Sequence, residues 1–509
     1  MKVFNETVLK LPQKIAKEAT ISFMSMGFGS GIGYLFVLIL ARWVGPVYLG
    51  VFSLASALMR FAEVIGKAGL DIGVMKYVTE NLGNNMVEEG KAVIRSSIKM
   101  GFILSLISAA ILIILSKWLA IDVFTGGQLL RQVLICNAIG LPFSVTMLII
   151  AGATQAFKLL KYKALVINII VPIMNLIAML IGLQISNQVA IIIPILFSSI
   201  IGFGFIFYFL QRFVTINLKD VKTSVFRVDL LNFSYPLMFV TIIGTAMHWM
   251  DIYMLGYFFD NTIVGLYHPS ARTAGLLRMI LVAFTGIFTP IIADLFAKKD
   301  QSGMVHLYQL VVRWIMTIAI PLFLLIIVFP TKVMLLFGPQ YQEGHMILAI
   351  LTTAVLIQSF IGPGGPTLTM TGFPKINFMN SIAVLIINLV FNIILIPAYA
   401  GFGAAIATLI SMSFLGFLRT IEVWYILKLQ PVSVKLFKPV MAGIVTWILL
   451  TQIKFIIMPF HTVITLVAAT IVVVFSFFIL LLLMGFDDDD KQVVSALKAT
   501  WASNFRNSQ

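Results

Sequence analysis

Charge is what this sequence has least of. Only 11% of its 509 residues are Asp, Glu, Lys or Arg, and 60% are hydrophobic; an average soluble domain carries about 25% charge. With a mean hydropathy of +1.04, a soluble globular chain of this length is excluded. Cysteine is nearly missing. Cys136 is the only copy, so neither an intramolecular disulfide nor a cysteine metal cluster is available. Five histidines are scattered. There is no P-loop, no GxSxG and no HExxH, so ATPase and hydrolase readings have no support. No catalytic residue, metal ligand or cofactor is assigned, and the chain is not expected to be an enzyme. Acids are scarcer than bases, 20 against 35, which leaves a net charge of +15. In a membrane protein that excess marks basic cytoplasmic loops, not nucleic-acid binding.

What is present is a series of long apolar runs. They are continuous rather than alternating, which excludes an outer-membrane barrel and leaves an all-α polytopic membrane protein. About fourteen spans are expected, over 20–42, 48–74, 99–120, 130–152, 164–184, 190–211, 231–257, 263–293, 306–329, 345–371, 377–398, 402–425, 437–455 and 461–484. An even number puts both termini on one side. The loops on that side hold Lys76, Lys91, Arg95, Lys99, Lys158, Lys161, Lys163, Arg212, Lys219, Lys222, Arg227, Lys298, Lys299, Lys375, Lys428, Lys435 and Lys438. The opposite loops hold only Arg42, Lys117, Arg131, Lys332 and Lys454. Both termini are therefore expected in the cytoplasm, and the cell membrane is the expected location. No cleavable signal peptide is expected. Residues 1–19, with Lys2, Lys10, Lys14 and Lys17 among apolar residues, read as an interfacial amphipathic helix. Residues 75–98 read as a cytoplasmic helical hairpin, and 485–509 as a cytoplasmic tail.

One span breaks the rule against charge. Tyr48 to Tyr77 carries Arg60, Glu63, Lys67 and Asp71, at spacings of three, four and four. On one helix these side chains share a face. Arg60 lies about 18 Å along the axis from Tyr48, close to the midplane. A self-neutralising ladder that only orders the helix would explain the spacing. Even so, the stripe must meet protein or water rather than lipid, and lining of a polar cavity is the sharper reading.

The chain also repeats itself. LARWVGPVYLGVFSLA from Leu40 resembles LGYFFDNTIVGLYHPS from Leu255, with Gly50 aligned to Gly265 and Phe52 to Tyr267 at an offset of 215. Ile167-Asn168-Ile169 resembles Ile387-Asn388-Leu389. These matches imply two pseudo-symmetric six-helix lobes, 20–211 and 231–425, joined by a cytoplasmic linker at 212–230. Spans 13 and 14 (437–484) follow. Both halves start from the same side, so the repeat is parallel, about an axis along the membrane normal.

The order Ala41-Arg42-Trp43-Val44-Gly45-Pro46, Tyr48, Gly50, Phe52 and GLDIGVMKYVTE from Gly69 resembles the signature of polysaccharide-type flippases. These are members of the multidrug/oligosaccharidyl-lipid/polysaccharide exporter superfamily. Ser234, Pro236, Asp251, Leu255-Gly256 and Val264-Gly265-Leu266-Tyr267 follow in the same order. The resemblance implies a V-shaped pair of lobes around a central cavity. It also implies alternating access and export of a lipid-linked oligosaccharide. Lipid II flippases are similar and also have fourteen spans, the last two forming a lipid-tail groove. Multidrug exporters usually have twelve.

Candidate binding residues follow. Arg60, Glu63, Lys67, Arg272 and Arg278 are expected to line the substrate cavity, because a planar guanidinium suits phosphate. Asp71, His248 and Asp251 are candidates for coupling or charge pairing. Asp251 and Arg272, at similar depth on adjacent spans, are the expected pair. Ile361-Gly362-Pro363-Gly364-Gly365-Pro366 must interrupt its helix, and Gly362, Pro363, Gly364, Gly365 and Pro366 form a candidate hinge. Gln155, Asn168, Asn175, Gln358, Asn388 and Asn392 read as interhelical glue, with some available to sugar hydroxyls.

The reading is a secondary-active flippase for an isoprenoid-(pyro)phosphate-linked oligosaccharide, driven by a coupling ion, H+ or Na+, if any. A lipid II-type flippase, a cation-coupled multidrug antiporter using Glu63 and Asp71, and a non-transporting scaffold are the rivals. A monomer is expected among membrane lipids. A polysaccharide polymerase or glycosyltransferase is the candidate protein partner. Reporter tags at Gln509 and near Asn187 should report opposite sides of the membrane; the same side for both would refute the span count.

Overall fold

The computed structural model describes residues 11–157, 159–216, 218–431 and 433–485. Residues 1–10, Lys158 and the tail beyond 485 lie outside the described residues. Every regular element is helical, with no strand among the described residues. The main helices are α1 (Leu11–Val44), α2 (Pro46–Lys67), α3 (Leu70–Gly83), α4 (Val87–Trp118), α5 (Gly127–Ala156), α6 (Leu160–Leu183) and α7 (Pro194–Gln211). They continue with α8 (Val228–Phe258), α9 (Asn261–Ala297), α10 (Gln301–Val328), α11 (His345–Ile361), α12 (Gly364–Met370), α13 (Pro374–Leu427), α14 (Phe437–Ile457) and α15 (Thr462–Leu483).

Thirteen helices among the described residues are long and apolar enough to cross a bilayer, against the fourteen expected. The protein is a multi-pass membrane protein. The difference in number lies in α13, which has 54 residues. A straight helix of that length would run about 80 Å, far beyond a hydrocarbon core of about 30 Å. Ala400, at φ 47 and ψ −130, interrupts it, and the expected spans 377–398 and 402–425 fall on either side. At the start, the helix runs unbroken from Leu11 to Val44, and its span-length apolar part is Met24–Val44.

The described chain packs as two compact units. One comprises Met1–Thr273, Phe337–Leu351 and Phe378–Ser411; the other comprises Ala274–Leu336, Thr352–Asn377 and Met412–Gln509. The division passes through α9 and α13, within the 231–425 segment that the repeat marks as one half.

In the first unit, α2 to α5 and α7 enclose Leu49, Leu54, Leu70, Ile94, Leu134 and Ile149, all fully buried. Glycine lets α2 and α9 touch backbone to backbone. A Cβ on Gly50 would overlap the Asn261 carbonyl, and a Cβ on Gly265 would overlap the Pro46 carbonyl. The contact is reciprocal and obeys the internal repeat, since 265 − 50 and 261 − 46 are both 215. Positions that the repeat aligns therefore face each other where α2 meets α9. Just past the C-terminal end of α2, Gly69 and Gly73 seat α3 against Ser234 of α8.

In the second unit, α10 packs on α14 and α15, around Phe288, Tyr308, Val312, Ile315, Leu368, Val423 and Phe477. Asp300 caps α10 by accepting from the Gly303 amide at 2.9 Å and the Ser302 hydroxyl at 2.8 Å. The amide bond first, then the hydroxyl, holds this exposed carboxyl below its usual range.

Gly50→Val should cost about 1–3 kcal/mol, as overpacking against rigid backbone does, and lower the apparent melting temperature. Gly31→Ala, with nothing within 4 Å of the added carbon, should leave it unchanged or raise it slightly. Equal melting of the two variants would remove the close helix contact from the account.

Candidate functional site

Arg60 and Glu63 lie in the first unit, in the second half of α2. Arg60 Nη1 is 2.7 Å from Glu63 Oε2. The two partners differ sharply, because the Glu63 side chain is 6% exposed and that of Arg60 is 59% exposed. Glu63 Oε1 accepts from Ser144 of α5, and Ser108 of α4 holds the adjoining backbone by donating to the Ala62 carbonyl at 2.8 Å. The carboxylate is thus anchored from behind, and the guanidinium stands toward open space. That space is a cavity of about 320 Å³ lined by Arg60, Glu63, Thr241, Gly244, His248 and Trp249. Its lining comes from α2 and α8, so Arg60 and His248, both singled out in the sequence, meet here.

Arg272 extends this basic surface. It is exposed, and its guanidinium lies over Gly33 of α1, where a Cβ would collide with it. His268, one turn earlier on α9, is within electrostatic reach of both Arg272 and His248. His268 was not singled out in the sequence. Its position four residues before Arg272, on the same helical face, is the signal that marks it.

The expected Asp251–Arg272 pair is not formed. Asp251 instead accepts from three neutral donors: the Tyr267 hydroxyl at 2.5 Å, the Thr408 hydroxyl at 2.7 Å and Asn392 Nδ2 at 3.0 Å. Asn388 supports Asn392 by accepting its amide at 3.1 Å. Asn392 Oδ1 is buried with no partner among the described residues. The pair of asparagines at i and i+4 reads as glue in the sequence; the fold makes them the wall of a carboxylate site.

The charged stretch is also not one helix. α2 ends at Lys67, Ala68 and Gly69 adopt φ 48 and 74, and α3 starts at Leu70. The break exists because Gly69 lies directly on the Ser234 backbone, where no side chain fits. Lys67 nevertheless reaches Asp71 across it, at 2.9 Å. Lys163 of α6 acts electrostatically on both and donates to Gln155 at 2.9 Å. Lys67 and Asp71 offset each other, and Lys163 adds a second positive charge beside them.

Arg278 belongs to the second unit. It is six residues from Arg272, about 240° around the helix, and lines a different cavity of about 210 Å³. Gln358, Gly362, Pro363, Gly365, Pro366 and Arg419 line it too. The proline–glycine run does break its helix: Gly362 takes φ +74, and Tyr308 donates to the freed Ile361 carbonyl at 2.9 Å. Gly364 and Gly365 also make room for Arg419, since a Cβ on Gly365 would lie 3.0 Å from its guanidinium carbon.

The two supports of Glu63 should prove unequal. Arg60 is exposed, so a double-mutant cycle of Arg60→Ala with Glu63→Gln should give a stability coupling of only about 0.2–1 kcal/mol. Ser144→Ala strips a buried carboxylate oxygen of its donor and should cost about 1–3 kcal/mol. A larger coupling for Arg60 than the Ser144→Ala cost would make the ion pair a structural strut.

Solved structures share this fold. The lipid II flippase MurJ matches with a TM-score of 0.73 and 14% identity, over 91% of this chain and 98% of that one. A multidrug resistance MATE family transporter of the MOP superfamily matches with a TM-score of 0.66 and 15% identity, over 80% and 98%. In sequence, the probable low-salt glycan biosynthesis flippase Agl15 of Haloferax volcanii is 22% identical over 400 residues, 78% of this chain and 81% of its own length. The family described as polysaccharide biosynthesis protein matches residues 39–346, a stretch that holds Gly50, the charged helix, Asp251 and Arg272. With well over half of its sequence inside that match, the chain belongs to the polysaccharide biosynthesis protein family.

Proposed function

We propose that the protein is a secondary-active flippase. It carries an isoprenoid-(pyro)phosphate-linked oligosaccharide from the cytoplasmic to the outer leaflet by alternating access, for cell-surface polysaccharide or glycan assembly. The observation that carries this reading is the Arg60 guanidinium, tethered on one side and open to a cavity on the other. A phosphate competes with Glu63 for it. The exposed ion pair is worth about 0.2–1 kcal/mol, whereas a charge-assisted, bidentate bond to phosphate is worth about 1.5–3 kcal/mol. Phosphate therefore displaces Glu63, which keeps its hydrogen bond from Ser144. Arg272 adds positive charge along the same surface. The likeness to Agl15, a probable low-salt glycan biosynthesis flippase, and to MurJ, a lipid II flippase, supports the substrate class.

In this reading the chain crosses the cell membrane fourteen times with both termini cytoplasmic, and works as a monomer. It breaks no covalent bond and hands its cargo to a polymerase or glycosyltransferase outside. Asp251 is the coupling carboxylate. Its oxygens, the Thr408 hydroxyl and the unpartnered Asn392 Oδ1 form an oxygen-rich set, suited to a proton or a hard cation such as Na+.

The test is transport of a fluorescent isoprenoid-linked sugar in proteoliposomes. Arg60→Lys keeps the charge and loses the fork, and should slow export roughly tenfold, equivalent to about 1.4 kcal/mol. Arg60→Ala with Glu63→Gln should fold and not export. Normal export by the double variant would sink the proposal, and extrusion of cationic drugs by the wild type would favour the antiporter. Asp251→Asn should abolish any dependence on a proton or sodium gradient.

A further inference from the structure

The cavity of the second unit has no role in the flippase reading above. It is lined by Arg278 of α9, Gln358 of α11, Arg419 of α13 and the interrupted turn at Gly362, Pro363, Gly365 and Pro366. Two guanidiniums share it, and no carboxylate lines it. Among the described residues neither arginine enters an ion pair. Arg278 has no hydrogen-bond partner among them either. Glu422, one turn on from Arg419, acts on it electrostatically from outside the lining. Arg419 is held in place by Asn377, whose Oδ1 accepts from Nη2 at 2.8 Å. Among the described residues Arg419 Nε is buried without a partner, and Gln358 Oε1 is buried without one as well.

Buried polar atoms without partners are rare and costly in native proteins. Here one orphan is a charged donor and the other an acceptor, and both belong to residues of one cavity. A ligand that satisfies both must accept from guanidinium and donate to an amide oxygen. A phosphate that keeps a hydroxyl does both; a sulfate only accepts. Leu281, Ile361 and Leu415 are among the other lining residues, and their apolar surface strengthens any charge-assisted bond made inside. The volume, about 210 Å³, is below the range of about 300–1,000 Å³ typical of drug-sized ligands. It suits a small oxyanion and not an oligosaccharide.

We propose that the Arg278–Arg419–Gln358 cavity is a second, separate anion site, taking a hydroxyl-bearing phosphate: a free phosphate or a phosphomonoester lipid headgroup. Because the lining includes the interrupted turn, a bound phosphate ties α9 and α13 to the break between α11 and α12 and stiffens it. The site does not depend on Arg60, so it stands or falls apart from the flippase reading.

The experiment uses the full chain in neutral-lipid nanodiscs with inorganic phosphate as the probe. Binding is read by 31P NMR and by hydrogen exchange of residues 361–367. Phosphate should protect that segment in the wild type, and sulfate should bind at least tenfold more weakly. Arg278→Gln and Arg419→Gln should each weaken phosphate at least tenfold, and Arg60→Ala should change it less than twofold. Gln358→Leu should erase the preference for phosphate over sulfate. Gln358→Glu, which keeps both arginines and adds a carboxylate, should abolish binding and guards against loss by misfolding. Displacement of phosphate by short-chain phosphatidic acid would assign the lipid headgroup, and resistance to it the free ion. No protection in the wild type, or wild-type affinity in both arginine variants, would overturn the proposal.

Discussion

Hydrocarbon cannot solvate an ionised side chain, and the arrangement of this protein follows from how each charge is answered. Glu63, Asp71 and Asp251 each have protein donors. Glu63 takes Ser144 and Arg60, Asp71 takes Lys67, and Asp251 takes three neutral donors. The arginines are treated differently. Arg60 keeps most of its surface on a cavity, and Arg278 lines another without an ion pair among the described residues. Negative charge is spent inside the fold while positive charge is left available, which is the condition for holding an anion in a low-dielectric space.

Backbone contact is the second constraint. Where Gly50 meets Asn261, and Gly69 meets Ser234, a single added carbon would strike main chain. Such contacts let charged side chains at mid-span face one another instead of lipid, because the helices that carry them cannot drift apart without losing packing along their whole length. The Gly50–Gly265 contact also joins two positions that the sequence repeat aligns.

Helix breaks do related work. The interruption at Ala68–Gly69 puts Lys67 and Asp71 on different helices and still allows their pair. The interruption at Gly362 is paid for by the Tyr308 hydroxyl, which takes the carbonyl the helix no longer uses. Each break takes positive φ, at Ala68 and Gly69 and at Gly362. Each also sits beside charge, so a movement of the break is a movement of the charge.

Much of this was legible in the sequence. Span positions follow from apolar runs about 20 residues long. Arg60 and Glu63, three residues apart on one helix, had to be neighbours, and two prolines among three glycines had to interrupt α11. The rest depended on distances along the chain that no local pattern encodes. Asp251 and Arg272 share a depth, but depth does not set rotation about the helix axis. Tyr267, Asn392 and Thr408 reached the carboxylate first because α9 and α13 turn them toward it. Arg272 and Arg278, neighbours in sequence, serve different cavities for the same reason. Sequence alone determined that charges lie within the membrane and roughly how deep. Tertiary packing decided which of them meet, because partner choice among buried groups is set by helix rotation and by close contacts such as Gly33 under Arg272 and Gly365 under Arg419.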